Sequence, residues 1–458
     1  MATADPRYAL SNYDTKLSKL VYAGLTAVDT PSGEPRLDLA RAIDRVDDLT
    51  WDVALRADAQ FSDGAPVTAA DVARTFASVI AEDSGSLFQR GFAERYAAID
   101  VVDPHHLRFH LHRPIAALLN DLDFGILSAQ GLGAGPYVLR ALTGESAELD
   151  ANPHYFAAAP RTPHVEIRFV RDAAARTLML VGGSADLLQN SLRPDLVDDI
   201  AARPGIRVAS APSTLLSYLM MNNADPLLAD VRVRQAIALA LDRPAIVATQ
   251  LEGRAVLATG WLPPVYWAYN PDVTRWQRDL PRARRLLAEA GAPHPHLVYK
   301  TSSDAFRIAI ARVIAGQLAE AGIEVEVRAF EFATFFSDIK RGAYQLATMQ
   351  SGEVEPDSFY MHFHSSRIPD EGNRDAGNRW RYRNAEIDAL TLGVRRELDR
   401  AVARRTYGRI QQILADEVPI IPLWHEDNIV LTREGIDGYA ITPNARFAGL
   451  VGVVKRSH

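Results

Sequence analysis

LVYKTSSDAFRIAIARVIAGQLAEAGIEVEVRAFEFATFFSDIKRGAYQLATMQ, residues 297–350, changes its hydrophobic period four times. LVYKTSS reads as a strand ending near Thr301, and DAFRIAIARVIAGQLAEAG as an amphipathic helix stopped by Gly322. IEVEVRAF alternates as a second strand, ATFFSDIKRG is a short helix closed by Gly342, and YQLATMQ is a third strand. This alternation of strands and helices implies parallel pairing through right-handed crossovers. Sheets of that kind take ligands just beyond the carboxyl ends of their strands. Residues 301–304, 330–333 and 350–353 should therefore share one rim.

The next stretch, SGEVEPDSFYMHFHSS (351–366), gathers Glu353, Glu355, Asp357, His362 and His364 at that rim. If Pro356 opens a helix, His362 and His364 point about 200° apart and cannot share an ion; in a strand they would share a face. His-Glu-x-x-His is absent, and WHEDN (424–428) is only a fragment of it. His106, His110 and His112 alternate in HLRFHLH, either as a metal set or as a solvated strand face. There is no Gly-x-Ser-x-Gly elbow and no Ser-x-x-Lys motif with its usual companions. Glu353 and Glu355 are a weak hydrolytic signal, and Glu355 alternatively favours the start of the following helix.

The chain has 458 residues, long enough for two or three domains. A hydrophobic fraction of 48% with 23% charged residues fits a globular protein rather than a disordered or fibrous one. A net charge of −7 gives no electrostatic reason to expect nucleic acid or an anionic membrane as partner. The lack of cysteine excludes disulfides, thiol nucleophiles and Cys-type metal sites. No apolar run is long enough to cross a bilayer, and MATADPRYAL lacks a signal-peptide pattern. Either the protein is cytosolic, or a leader has been removed.

Upstream, FSDGAPVTAADVARTFASVI has a turn at Asp63-Gly64 and a capping-box variant, Thr68 with Asp71, so a helix starts near Ala69. GLGAGPYVLR (131–140) is read as a tight turn into a strand, because a phosphate loop needs a helix there. Residues 216–221 are strand-like, 222–226 form a polar break, and a helix from about Val231 runs on through Ile237, Ala240, Leu241 and Ile246.

Several segments, in order, resemble one known family. They are FSDGAPVTAADVARTF (with Phe61 where Trp is commoner), GAGPYVL followed by ANPHYF, MNNADPLLADVRVRQAIALALDRPAI, EPDSF, NRWRYRNAEIDAL and VPIIPLWHED. The set is similar to the dipeptide/oligopeptide/nickel class of solute-binding proteins of ABC transporters, bacterial extracellular solute-binding protein family 5. The resemblance implies an α/β, two-lobed periplasmic-binding-protein fold (type II, cluster C-like) with an extra small α+β subdomain in the first lobe. On that pattern 1–30, 133–222 and 441–458 form lobe I, 31–132 the extra subdomain and 223–440 lobe II. The chain would cross near 222–225 and 440–444.

The resemblance also implies a non-catalytic receptor, periplasmic or at the cell surface. It would be a monomer that captures a short peptide or peptide-like molecule by hinge closure and delivers it to a membrane permease. No cofactor, metal or nucleic acid is implied. The alternatives are a carboxylate-dependent hydrolase or amidase, and a nickel-chelate receptor. Peptide-binding members place an Asp, holding the peptide's ammonium, where this chain has Gly352. Glu353 or Glu331 would substitute, or the ligand lacks that amine, as in a capped peptide or an opine-like conjugate. Met349, Gln350 and Ser351 precede Gly352 in the same contact segment. Arg379 and Arg381 are the candidates for an anionic end, Trp380 for a wall or lid, and Trp424 with His425 for the cleft lining. Tyr13, Leu17 and Asn190 are the candidate contacts from the other lobe. Met349, Phe359 and Trp267 suit an adaptable apolar pocket, and equally a packed core.

Overall fold

In the computed structural model, which describes residues 2–9, 11–28, 30, 32–190, 192, 194–352 and 354–456, the segment 297–350 follows its periodicity. It forms the strand His296–Ser302, helix Ala305–Glu320, strand Glu324–Phe330, helix Phe332–Arg341 and strand Leu346–Ser351. Asp304 caps the first helix by accepting from the Arg307 amide, and Glu331 caps the second by accepting from the amides of Ala333 and Thr334. Gly342 closes the second helix in the left-handed region, at φ 73°. His296–Ser302 pairs in parallel with both Glu324–Phe330 and Leu346–Ser351.

These strands belong to a six-stranded sheet in the order Ala255–Leu257, Ile420–Glu426, Leu216–Met221, Leu346–Ser351, His296–Ser302, Glu324–Phe330. Leu216–Met221 is antiparallel to both its neighbours. Its first residues, and the last residues of Ile420–Glu426, therefore reach the rim where the parallel strands end. Every residue of Leu216–Met221 is buried, as a continuous apolar run in a central strand should be. Leu219 and Met221 pack on one face with Ile237, Ile310 and Leu346. Tyr218 and Met220 pack on the other with Trp261, Phe335 and Trp380.

The chain divides into two compact units, the first holding 1–192, 197–211 and 428–458, the second 193–196 and 212–427. The divisions expected at 222/223 and 440/441 fall elsewhere, and strand pairing is the reason. Leu216–Met221 is tied to the six-stranded sheet of the second unit. Asn428–Arg433 pairs with Leu187–Gln189 and Ile206–Ala211 in the first. The polar break at 222–226 sits inside the second unit. There Asn223 Nδ2 donates to the carbonyls of Met221, Trp380 and Pro419 at 2.8–3.0 Å.

The single helix expected from Val231 is two, Val231–Ala240 and Arg243–Gln250. Asp242 between them accepts from the Ala245 amide, and Pro244, lacking an N–H, suits only a first turn. Arg234 on the first of these helices is buried. It donates to the carbonyls of Leu228, Ala229, Glu417 and Val418 at 2.7–3.2 Å, holding the end of the helix Arg400–Glu417.

In the first unit, Ala40–Arg45, Thr50–Leu55, His106–Leu111 and Tyr96–Asp103 form an antiparallel four-stranded sheet in that order. It is covered by the helix Ala69–Ile80, whose Thr68–Asp71 capping box is present. Residues 131–140 enter the strand Tyr137–Leu142 rather than a helix. The glycines allow close approach: a Cβ on Gly135 would lie 2.5 Å from the carbonyl carbon of Val21 at the end of the helix Asn12–Val21.

Candidate functional site

At the rim of the second unit's sheet, four donors converge on one oxygen of Glu426. Gln350 Nε2 lies 2.6 Å from Oε1, Ser217 Oγ 2.9 Å, Trp424 Nε1 3.4 Å and Arg307 Nη1 3.4 Å. Arg307 Nη2 also donates to Gln350 Oε1 at 2.7 Å, and Gln350 Nε2 reaches Ser217 Oγ at 3.0 Å. Register explains the convergence. Ser217 pairs with Gln350 on one side and Trp424 on the other, and Arg307 lies in the first turn of the helix that follows His296–Ser302. The Glu426 and Arg307 side chains are 15% and 24% exposed, so the charge pair is sheltered but not sealed. The cluster offers one carboxylate and one guanidinium, already oriented by neighbours.

A second feature borders the rim. Phe332, 57% exposed, stacks on Phe336 with ring centroids 5.8 Å apart, and the Arg379 guanidinium lies 4.8 Å from the Phe336 centroid. The helix Phe332–Arg341 thus presents an aromatic shelf carrying a cation.

The residues singled out from sequence divide into groups. Gln350 and Trp424 join the Glu426 cluster, with Trp424 otherwise buried in the core. Met349 points to the opposite face, against the aromatic core. Ser351 is partly buried at the strand's end. Gly352 is exposed, with open space where a side chain would stand. Glu331 stands on the rim, its carboxylate engaged in capping. Glu353 lies outside the described residues. His425 is 2% exposed, and neither ring nitrogen has a hydrogen-bond partner; burial lowers its pKa to about 4.

Three expectations are corrected. Trp380 is no wall or lid: it is fully buried, its ring 5.0 Å from Phe363 and 5.8 Å from both Trp261 and Tyr218. Asn378 fixes that loop through the carbonyls of Phe363, His364 and Tyr382, turning the large ring inward. Arg381 is not free for an anion, since its guanidinium lies against Gly342 and donates to the carbonyls of Pro369 and Lys340. Leu17 is an interior core residue of the first unit, whereas Phe359 takes the core alternative in the second.

In the first unit Tyr13 is 61% exposed, while Asn190, at φ 51°, joins two strands. Its side-chain Nδ2 donates to Asn428 Oδ1 at 2.8 Å and its side-chain oxygen accepts from the Ile429 backbone amide at 2.8 Å. Sequence reading passed over Ser217, Arg307 and Glu426. The usable signals were a lone serine within the run 216–221, an arginine just past the first strand, and a carboxylate ending WHE.

His362 lies on the helix Ser358–Phe363, its Nδ1 2.9 Å from the Ser358 carbonyl and its ring between Trp261 and Trp380. Burial lowers its pKa to about 4. His364 turns away to Ser366, 2.8 Å from its hydroxyl. Among the described residues no three His, Asp or Glu side chains converge as a metal set. His106 and His110 pair with Asp103 and Asp100 on an exposed strand face.

A family model for bacterial extracellular solute-binding proteins, family 5 (middle), matches residues 34–370. The probable D,D-dipeptide-binding periplasmic protein of Escherichia coli (strain K12) is 26% identical, over 96% of this chain and 90% of that protein. Among solved structures, the ABC transporter substrate-binding protein CtaP of Listeria monocytogenes superposes with a TM-score of 0.89. It covers 98% of this chain and 96% of the other at 22% identity. The oligopeptide-binding protein AppA of Bacillus subtilis, in complex with a nonapeptide, gives a TM-score of 0.79 over 99% and 96% at 23% identity.

Proposed function

Because this chain belongs to the bacterial extracellular solute-binding proteins of family 5 and has their periplasmic-binding-protein fold, we propose that it captures a short peptide or peptide-like solute outside the cytoplasm and delivers it to an ABC permease. The family is one of binding proteins, and relatives named for dipeptides and oligopeptides support this choice of solute. The protein acts as a monomer, and the two units close on the solute as a hinge. No helix among the described residues is long and apolar enough to cross a membrane.

One observation carries the reading: a preorganised carboxylate–guanidinium–amide cluster, Glu426 with Arg307, Gln350 and Ser217, sits where parallel strands end. Such a cluster matches the alternating donors and acceptors of an amide backbone, while Phe332 and Phe336 offer apolar contact. Gly352 contributes no carboxylate, so an uncapped α-ammonium would need another acid of the rim as its partner. A peptide-like molecule without a free amine at that point fits as well.

Native mass spectrometry of protein purified from cells, followed by calorimetric titration with free and N-acetylated di- and tripeptides, tests the reading. Micromolar binding, about −8 kcal/mol, is expected for at least one class. Glu426→Gln should weaken it about tenfold, the scale of one charge-assisted hydrogen bond. No bound solute, and no heat with either peptide class, would count against the proposal.

A further inference from the structure

The first unit contains a separate cavity of about 220 Å³, lined in part by Lys19, Asp123, Arg446, Arg36 and Asp38. Its chemistry is unbalanced. The Asp123 carboxylate is shared by two cations, Lys19 Nζ at 2.9 Å from Oδ1 and Arg446 Nη1 at 2.8 Å from Oδ2. The side chains of Lys19, Arg446 and Asp123 are 20%, 16% and 9% exposed. Asp38 also acts on Lys19, but Arg36 Nη1 lies 2.6 Å from its carboxylate. The lining charges are thus three cations against two carboxylates. One turn earlier on the same helix, Lys16 is 6% exposed and has no carboxylate within ion-pair distance among the described residues. Its ammonium faces the rings of Tyr13 and Phe447, and burial lowers its pKa to about 8.

Arg36, 45% exposed, neutralises Asp38, which leaves the sheltered Lys19 and Arg446 sharing the single Asp123 carboxylate; a second sheltered cation on one carboxylate is costly unless a counter-charge meets it. At the cavity wall Gly24 lets the backbone at Asp123 pack close, since a Cβ there would lie 2.7 Å from the Asp123 carbonyl carbon. The space exceeds that of several waters, each taking about 30 Å³ in the liquid. We propose that this cavity is an anion site, taking a small oxyanion (a carboxylate or phosphate group) against Lys19 and Arg446. The assignment goes beyond the solute cluster of the second unit and stands without it.

The test uses the full-length chain and three probes, inorganic phosphate, sulfate and acetate, at constant ionic strength held by chloride. The thermal unfolding midpoint should rise saturably with at least one probe. Lys19→Gln should weaken that probe about tenfold or more, the scale of a charge-assisted hydrogen bond. Asp123→Asn, which removes the competing carboxylate, should bind it more tightly. Opposite signs separate anion binding from a general loss of stability, and the wild-type titration decides the matter if a variant does not fold. Displacement of acetate by Ala-Ala but not by its amide would assign the anion to a solute carboxylate. Retention of acetate against both would assign it to a free ion, and either result supports the site. A midpoint that does not respond saturably to any probe overturns the proposal. Unchanged affinity in both variants does the same.

Discussion

Gly352 and His425 show how differently single residues at one rim behave. Gly352 is exposed and has room for a side chain, so Gly352→Asp should fold normally. A new carboxylate there should favour free-amine over N-acetylated peptides by about tenfold, read by paired calorimetric titrations. His425 and His362 have no such freedom. Burial holds both near pKa 4, below the ordinary histidine value of 6.5. The folded state therefore prefers the neutral rings, and the unfolded chain binds the extra protons. Stability should be fully present above pH 6.5 and decline as pH falls towards 4, by about 1.4 kcal/mol per pH unit for each histidine. Urea unfolding at pH 7.5, 6.0 and 5.0 checks this; a flat profile would remove both histidines from the account. The types of these residues were legible in the sequence, but their protonation was not. Desolvation depends on what folds over a ring, and neighbours in the chain do not reveal it.

At the scale of elements, local signals were read most securely. The Thr68–Asp71 box, the stops at Gly322 and Gly342 and the strand after 131–136 are all present, because caps and turns are settled within a few residues. The break at Asp242-Arg243-Pro244 was missed, since apolar spacing continues across it while capping and proline do not allow one helix. Arg234 marks where local reasoning ends. It sits on a helix of unremarkable sequence, yet it satisfies carbonyls at the far end of Arg400–Glu417, about 180 residues away in the chain. Arg234→Met keeps the stem and removes the donors, leaving buried carbonyls unpaired. A loss of about 4 kcal/mol or more is expected from denaturant midpoints, at roughly 1–3 kcal/mol for each of the abandoned carbonyls. A loss below about 0.5 kcal/mol would mean that solvent reaches those carbonyls.

For the whole molecule, ligand linkage supplies the prediction. A solute at a hundred times its dissociation constant should add about 2.7 kcal/mol to stability. If the hinge operates, scattering should show a smaller radius of gyration at saturation. The chain's order of segments determined the family, the α/β class and the parallel strands that end at one rim, because period, caps and turns are written in neighbouring residues. Only the tertiary structure decided where the chain divides between its units, that Trp380 and Arg381 face inward, and that Ser217, Arg307, Gln350 and Glu426 meet. Those outcomes depend on strand register and on packing between segments far apart in the chain, where a shift of one residue would turn a contact to the opposite face.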